Sequence, residues 1–439
     1  MITQLLRLET RRSVGAWLVL AIPVALWTAY VQGLPKVAPL WFETSLIARS
    51  TIVILGPLVG GAAAWVAGRD ARRGLGDLLA TTACPPTARL LTAWLGTTLW
   101  GLLGYLVAGG VVVFLSATQA TWGGPYVGPM LVGLVAVPVC AALGFALGYH
   151  LPNRFTTPLV AVALLVGQVI IGSLSKWYAF LSPLVSLSSS VWYGVTPELS
   201  GHQLAFLAGL GGLALGSVAL RAQPGRLAQL ACVALACITL ASVALLFRAA
   251  PDSGGQSNVG GPPRPIPYTP ICADAAVTVC VHPAYQPYLG DASGVINRLI
   301  APVIGLPGVP TRAEQGFGPI QPDAPLRFNL FPQDEYRQLA NTVVHPLIQD
   351  VRPFPDVRRT DCPDQSRQSC LVAQVAIGRW LLRQAGLPDE NVLYSTNGAD
   401  PAKAAADRFA ALDPAQQRAW LEAHFADLRA GKVRLEDLP

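Results

Sequence analysis

The sequence predicts a polytopic α-helical membrane protein that carries a separate helix-rich α+β domain in its C-terminal part. Two observations lead to this fold class. Of the 439 residues, 52% are hydrophobic and only 13% are charged, and the mean hydropathy is +0.45. A water-soluble domain needs more charge on its surface. Nearly all long apolar runs precede Arg248, whereas the later residues have the composition of an ordinary globular domain.

Seven apolar runs are long enough to be membrane-spanning helices, since the hydrocarbon core of a bilayer requires about 20 residues of helix. The first run follows several arginines, as a secretory signal would, but no small-residue cleavage site follows it, so we interpret it as an uncleaved span. The predicted spans are Ser13–Val31, Thr51–Ala67, Leu91–Leu115, Tyr126–Tyr149, Thr156–Leu174, Gln203–Leu220 and Leu227–Phe247.

Residues 1–12 precede these spans and predict a short amphipathic helix in the membrane interface. Ile2, Leu5 and Leu6 share one helical face, and Gln4 and Arg7 share the other. The alternative is a frayed chain terminus. The membrane domain would then cover residues 13–250.

The distribution of arginine between the spans predicts their orientation, because short cytoplasmic loops are enriched in Lys and Arg. With the N-terminus inside, the outer segments before the C-terminal part hold little Lys or Arg beyond Lys36, Lys176 and Arg248. An odd number of spans then places residues 251–439 outside the cell. The inner segments hold Arg7, Arg11, Arg12, Arg69, Arg72, Arg73, Arg89, Arg154, Arg221 and Arg226.

The composition also argues against several functional classes. The net charge of +6 does not indicate nucleic-acid binding, because the arginines lie between apolar runs and form no single basic face. The predicted spans contain essentially no Asp, Glu, Lys or Arg, which argues against coupling to an ion gradient. No Gly-x-x-x-x-Gly-Lys-Ser/Thr pattern occurs in the sequence, so the chain has no phosphate-binding loop for ATP hydrolysis.

The segment between the second and third predicted spans, residues 69–94, is too polar at its start to lie in the membrane. Leu75, Leu78 and Leu79 recur at helical spacing and predict a short amphipathic cytoplasmic helix near residues 70–84. Pro85 and Pro86 would end this helix. Arg89 would mark the return of the chain to the membrane.

This segment resembles the loop of ABC-2 type permeases that contains a basic pair, Gly-Thr-Leu-Glu, a Leu pair, a Thr-Pro-like turn and Arg. Leu75 and Gly76 depart from the pattern, which has Thr and Leu at these positions. The matching residues are Arg72, Arg73, Gly74, Asp77 at the acidic position, Leu78, Leu79 and Arg89.

The resemblance covers roughly residues 1–225 and implies several properties of the chain. It implies the permease subunit of an exporter in the bacterial cell membrane, with a coupling helix that contacts a separate ATPase. ATP and Mg²⁺ would be held by that ATPase, and this chain would hold no cofactor. It also implies a permease homodimer or heterodimer surrounded by lipid. The transported substrate does not follow from the fold.

The C-terminal part begins with a Pro- and Gly-rich linker, residues 251–270, and continues as an extracytoplasmic domain, residues 271–439. Alternation predicts strands at Ala275–His282 and Leu326–Phe331. Asp413 as N-cap, Pro414 and Gln416 give the clearest helix start. The predicted helices are Asp291–Ile304, Asp334–Gln349, Gln368–Ala385, Pro401–Leu412 and Asp413–Ala430.

Four cysteines in this domain, Cys272, Cys280, Cys362 and Cys370, predict disulfides in an oxidising exterior. Three pairings are open, and the short spacings favour Cys272 with Cys280 and Cys362 with Cys370. A zinc site using His282 or His345 is the alternative, although no Cys-x-x-Cys occurs.

No hydrolase or metalloprotease motif occurs in the C-terminal part, so we predict no catalytic residues there. The stretch Val279–Tyr285 resembles external tails of actinobacterial-type permeases, which implies no activity. Two other functions remain open for the chain. It could be a gradient-driven carrier, or a membrane-anchored extracytoplasmic binding or enzymatic domain.

Overall fold

The computed structural model describes residues 9–10, 21–31, 40–75, 81, 84–174, 177–184, 192–194, 197–249, 264–316, 325–330, 337–349, 367–389 and 400–439. The chain divides into two compact units between Ile266 and Pro267. This boundary falls within the predicted linker, most of which lies outside the described residues.

The first unit is a bundle of apolar helices with one short antiparallel strand pair, Tyr193–Gly194 (β1) with Arg264–Pro265 (β2). A 3₁₀ helix, Trp177–Leu181, follows α7. The α-helices are α1 Ala21–Val31, α2 Trp41–Ser50, α3 Ile52–Ala67, α4 Arg69–Arg72, α5 Pro86–Ala117, α6 Val127–His150, α7 Thr156–Gly172, α8 Pro197–Ala222 and α9 Arg226–Ala249.

Among the described residues of the first unit, five helices are long and apolar enough to cross a membrane, and they identify the chain as a helical membrane protein. They are Trp41–Ala67, in which α2 and α3 join through Thr51, together with α5, α6, Glu198–Ala222 of α8, and α9. Helix α7 has 17 residues, and α1 is the described part of the predicted first span. The count of seven spans therefore stays a prediction.

The helix Trp41–Ala67 corrects the predicted second span, which begins only at Thr51. The longer helix includes Glu43 and Arg49, and the Arg49 side chain is buried. The predicted span Thr51–Ala67 itself contains no ionisable residue, and Glu43 and Arg49 lie in the part of the helix that precedes it. Arg49 and the polar residues near it lower the local hydropathy, so the sequence pattern begins the span only at Thr51.

The core of the first unit depends on close contact between α3 and α6. A methyl group on Gly144 would overlap the main chain of Gly60, and one on Gly148 would overlap the main chain of Ala64. Small residues let helix backbones approach in this way, and such packing stabilises helices in lipid. The outer face of α9 is apolar and exposed, with Leu227 84% and Leu240 70% accessible, as expected for a surface that faces lipid.

The second unit packs helices against a four-stranded sheet in the order β3-β4-β5-β6. Strands β3 and β4 are antiparallel, whereas β5 is parallel to both β4 and β6. The strands are β3 Ile271–Ala273, β4 Thr278–Val281, β5 Arg312–Gln315 and β6 Leu326–Phe328, and the helices are α10 Leu289–Ile300, α11 Arg337–Ile348, α12 Arg367–Gln384, α13 Pro401–Ala411 and α14 Pro414–Arg429.

The predicted helices of this unit are present, with ends shifted by a few residues. Helix α14 begins as predicted, since Asp413 accepts hydrogen bonds from the main chain of Ala415 and Gln416, and the Gln416 side chain completes a capping box. The predicted strand Ala275–His282 is shortened to β4, because residues 274–277 form the turn from β3. Strands β3 and β5 were not predicted.

Candidate functional site

Seven arginines lie at one end of the first unit, which we call the Arg-rich end. Hydrogen bonds join the helices there: Thr87 at the start of α5 donates to Gln223 after α8 (3.0 Å), and His150 at the end of α6 contacts Arg221 (3.2 Å). The arginines are Arg69, Arg72, Arg73, Arg89, Arg154, Arg221 and Arg226.

The described part of the N-terminal segment packs against this same end. Glu9 forms an ion pair with Arg69 (3.0 Å), and the Trp100 indole donates to the main-chain oxygen of Thr10 (2.9 Å). The hydrogen bond with Glu9 raises the pKa of Arg69. Most of residues 1–12, predicted as an interfacial helix, lie outside the described residues.

The predicted coupling residues that the structure describes have different surroundings. The guanidinium of Arg72 lies 4.2 Å from the centre of the Trp65 ring, and its Nη2 donates to the Trp65 carbonyl oxygen (2.6 Å). Arg73 is exposed. Arg89 lies in the first turn of α5, close to where the sequence predicts that the chain enters the membrane.

Gly74, one of the predicted coupling residues, lies just after α4 and interrupts the helix predicted near residues 70–84. Its φ of +64° is left-handed, and the amide of Leu75 donates to Asp70 (3.1 Å) while that of Gly74 donates to Ala71 (3.2 Å). This geometry ends a helix, so Gly74 terminates α4. Asp77, Leu78 and Leu79 lie outside the described residues, and their role in coupling stays a prediction.

The Arg-rich end carries an excess of positive charge on its described surface. Its described carboxylates are Glu9 and Asp70, and both bond Arg69. Arg73, Arg154, Arg221 and Arg226 are exposed. A surface of this kind can bind anionic lipid headgroups or acidic side chains of a partner protein.

A second polar site lies inside the bundle and was not predicted from the sequence. Arg49 donates from Nε to the Pro183 carbonyl oxygen (2.5 Å) and from Nη2 to Gln203 Oε1 (3.4 Å). The Gln203 amide nitrogen donates to the carbonyl oxygens of Phe180 (2.9 Å) and Ser182 (2.7 Å). The sequence contains three residues that could have indicated this site. Gln168 and Gln203 belong to otherwise apolar runs, and Arg49 comes just before the predicted span Thr51–Ala67.

In the second unit, Cys272 and Cys280 form a disulfide across the β3-β4 hairpin, with their Cα atoms 4.0 Å apart. Cys370 is also disulfide-bonded, whereas its predicted partner, Cys362, lies outside the described residues. Within the described part of the chain, no group of three or more His, Cys, Asp or Glu side chains could hold a metal ion.

His282 is buried between the sheet and the following 3₁₀ helix. Its ring lies 4.4 Å from the Tyr268 ring, centroid to centroid, and its Nδ1 accepts a hydrogen bond from the Ala284 amide (3.2 Å). Burial lowers the pKa of His282 to about 4. The neutral ring is therefore a structural part of this unit near neutral pH.

Comparison of the chain with protein-family models, with curated proteins and with solved structures finds no match. The helices identify the chain as a membrane protein. The residues at the Arg-rich end are the basis for a more specific function.

Proposed function

We propose that the chain is the membrane-spanning permease subunit of an ATP-driven ABC-2 type exporter, moving an amphipathic or apolar molecule out of a bacterial cell. The observation that carries this proposal is the segment between α3 and α5. It combines the basic pair Arg72 and Arg73 with the pattern through Leu79 that resembles the coupling loop of ABC-2 permeases. Both ends of this segment belong to the Arg-rich end of the bundle.

The directions of the helices support an orientation with the Arg-rich end in the cytoplasm. Glu9 forms its ion pair with Arg69 at this end, and α9 starts there at Arg226. Near the other end of α9, Phe247 packs edge-on against Trp177, which follows the far end of α7 (5.6 Å between ring centroids). With arginine-rich loops inside, the second unit follows a helix that ends outside the cell, where disulfides persist.

A separate ATPase subunit would bind ATP and Mg²⁺ and transmit the energy of hydrolysis through the Arg-rich end. Two copies of this chain, or this chain with a related one, would form the permease. Exposed arginines such as Arg73 and Arg154 would contact acidic residues of the ATPase, because complementary charge favours association and fixes its orientation.

The decisive experiment is purification of the tagged full-length chain from its native membranes in a mild detergent, followed by mass spectrometry. We expect stoichiometric recovery of an ABC ATPase whose hydrolysis rate changes when the permease is present. Recovery without any ATPase, together with transport that survives ATP depletion, would instead identify a gradient-driven carrier. Ligand binding or catalysis by the second unit without transport would identify a membrane-anchored binding or enzymatic domain.

A further inference from the structure

The guanidinium of Arg49 lies inside the helix bundle, and only 3% of the residue is accessible. Among the described residues it bonds only neutral oxygens, those of Pro183 and Gln203. These two bonds use two of the five N–H groups that an arginine offers. A buried cation without an opposite charge is strongly disfavoured in an apolar medium.

The sequence offers few acids that could neutralise Arg49. Glu9 and Asp70 both bond Arg69 at the Arg-rich end, and Asp77 lies outside the described residues. The described hydrogen bonds of Arg49 go to neither Glu43 nor Glu198. The acids before residue 251 are Glu9, Glu43, Asp70, Asp77 and Glu198.

A second buried polar side chain lies beside the long helix that carries Arg49. Gln168 of α7 is 8% accessible, and neither its Nε2 nor its Oε1 has a hydrogen-bond partner in the described structure. A Cβ on Gly56 would lie 3.4 Å from Gln168 Nε2. Gly56 follows Arg49 by seven residues, or about 10 Å along a helix.

Hydrogen bonds connect Arg49 to the main chain of Gln168 through the segment after α7. Ser182 Oγ donates to the main-chain oxygen of Gln168 (2.6 Å), and the Ser182 carbonyl accepts from Gln203, which in turn bonds Arg49. Arg49, Gln203 and residues 180–184 therefore form one hydrogen-bonded network that reaches the main chain of α7 at Gln168, the residue whose side-chain amide has no partner. A buried cation that bonds only neutral oxygens, near an amide N–H group without a partner, favours an anionic ligand.

We propose that Arg49 and Gln168 bind the anionic headgroup of an amphipathic molecule, such as a phosphate, sulfate or carboxylate attached to an alkyl chain. The headgroup neutralises Arg49 and uses its remaining N–H groups, while the alkyl chain lies among the apolar helices. The description of this ligand as the exported substrate rests on the proposed export function. The anion site itself does not depend on it.

The test uses the full-length chain in phosphatidylcholine nanodiscs and compares decyl phosphate with decanol, which has the same chain but no charge. Binding is measured as the concentration-dependent rise in unfolding temperature, followed by tryptophan fluorescence, with empty nanodiscs as the baseline. Wild type is expected to respond to decyl phosphate and not to decanol. Equal responses to the two amphiphiles would overturn the proposal, whatever the variants do.

Variants of Arg49 and Gln168 test whether decyl phosphate binds at this site. Arg49→Gln is expected to weaken the apparent affinity at least about tenfold, the effect of losing charge-assisted hydrogen bonds. Arg49→Lys should retain part of the affinity, and Gln168→Leu should weaken it. Arg248→Gln, at an exposed arginine near the end of α9, is the matched control and should bind like wild type. The proposal is contradicted if both Arg49→Gln and Gln168→Leu bind decyl phosphate with the affinity of wild type. If Arg49→Gln does not fold, the affinity of Gln168→Leu alone decides the test.

A repeat in nanodiscs that contain phosphatidylglycerol distinguishes two sources of the anion. Competition by this lipid identifies a bilayer headgroup as the ligand, whereas unchanged binding of decyl phosphate identifies a separate amphiphile; both results retain the anion site. Failure of the export function would be seen differently, as absence of an ATPase in the purified complex. The two proposals can therefore fail independently.

Discussion

Gly144 of α6 lies directly against the main chain of Gly60 in α3, with no room for a side chain between them. We expect Gly144→Ala to destabilise the bundle by about 1–3 kcal/mol, because the added methyl group overpacks a close helix contact. The measurement is thermal unfolding of the purified chain in detergent.

The matched control is Gly110→Ala in α5, where a methyl group would have nothing within 4 Å. Alanine favours a helix over glycine by about 1 kcal/mol in water-soluble peptides, so this variant should be as stable as wild type or slightly more stable. Similar destabilisation by both variants would mean that the α3-α6 contact is not the cause.

The coupling segment gives a prediction about complex formation. Asp77→Lys or Leu78→Asp should leave the chain inserted in the membrane but lower the amount of ATPase recovered with it, because a short docking helix depends on its apolar residues and complementary charge. Arg73→Glu should act in the same direction, since Arg73 is exposed at the Arg-rich end. Immunoblotting of the purified complex measures the ratio of ATPase to permease.

Arg248→Glu is the control for these variants, because it changes an equally exposed charge at the other end of α9. Its ATPase recovery should equal that of wild type. If all three segment variants retain the ATPase and transport normally, the segment does not form the interface.

The disulfide between Cys272 and Cys280 gives a prediction about topology. A thiol reagent that cannot permeate membranes should label neither cysteine in intact cells until a reductant is added, and should then label both. Cys84 at the Arg-rich end is a free thiol and should react only after permeabilisation. Labelling of free Cys272 and Cys280 only in permeabilised cells would place the second unit in the cytoplasm.

Replacing Cys272 and Cys280 with serine should also lower the stability of the second unit by roughly 2–3 kcal/mol, as expected for a short closed loop. Limited proteolysis of the full-length chain, followed with an antibody to the C-terminus, measures this change. A doubly substituted chain that resists protease like wild type would show that the disulfide is dispensable.

Stability of the second unit should depend on pH through His282. In the fold its pKa lies at about 4, below the ordinary value of 6.5, so the unfolded chain takes up the proton at higher pH than the folded one. The contribution of neutral His282 to the free energy of unfolding is therefore complete above about pH 6.5. It decreases as the pH falls towards 4, by at most about 3 kcal/mol. Burial lowers the pKa of His345 in the same direction.

Hydrogen exchange of α10 in the full-length chain, measured between pH 4 and 7 and corrected for intrinsic exchange rates, tests this dependence. His282→Asn should reduce the slope of stability against pH, because the side chain no longer titrates. If the variant retains the slope of wild type, another group such as His345 is responsible.

Some features of the fold are determined by residues that lie close together in the chain, and these can be predicted from the sequence. Asp413 and Gln416 lie three residues apart and determine the start of α14 between them, so the sequence predicts that start well. The end of α4 at Gly74 could not be predicted, because a glycine inside a helix and one that ends a helix look alike without the main-chain angle.

The Arg49 site could not be predicted, because its bonds join residues far apart in the chain. Arg49 and Gln203 are separated by 154 positions, and Arg49 and Pro183 by 134. Hydropathy records an arginine as an interruption of a membrane span and gives no information about carbonyl groups contributed by another segment. Only the packing of α2 near residues 180–184 makes this arginine compatible with a helix of this length.

Cys272 and Cys280 are direct partners across the β3-β4 hairpin. A shift of the pairing by one residue would turn the two side chains to opposite faces of the sheet, where their sulfur atoms could not meet. A hairpin with a shifted alignment could not hold this disulfide. The covalent bond therefore favours the aligned hairpin over shifted ones, and it keeps the edge strand from separating and pairing with another chain.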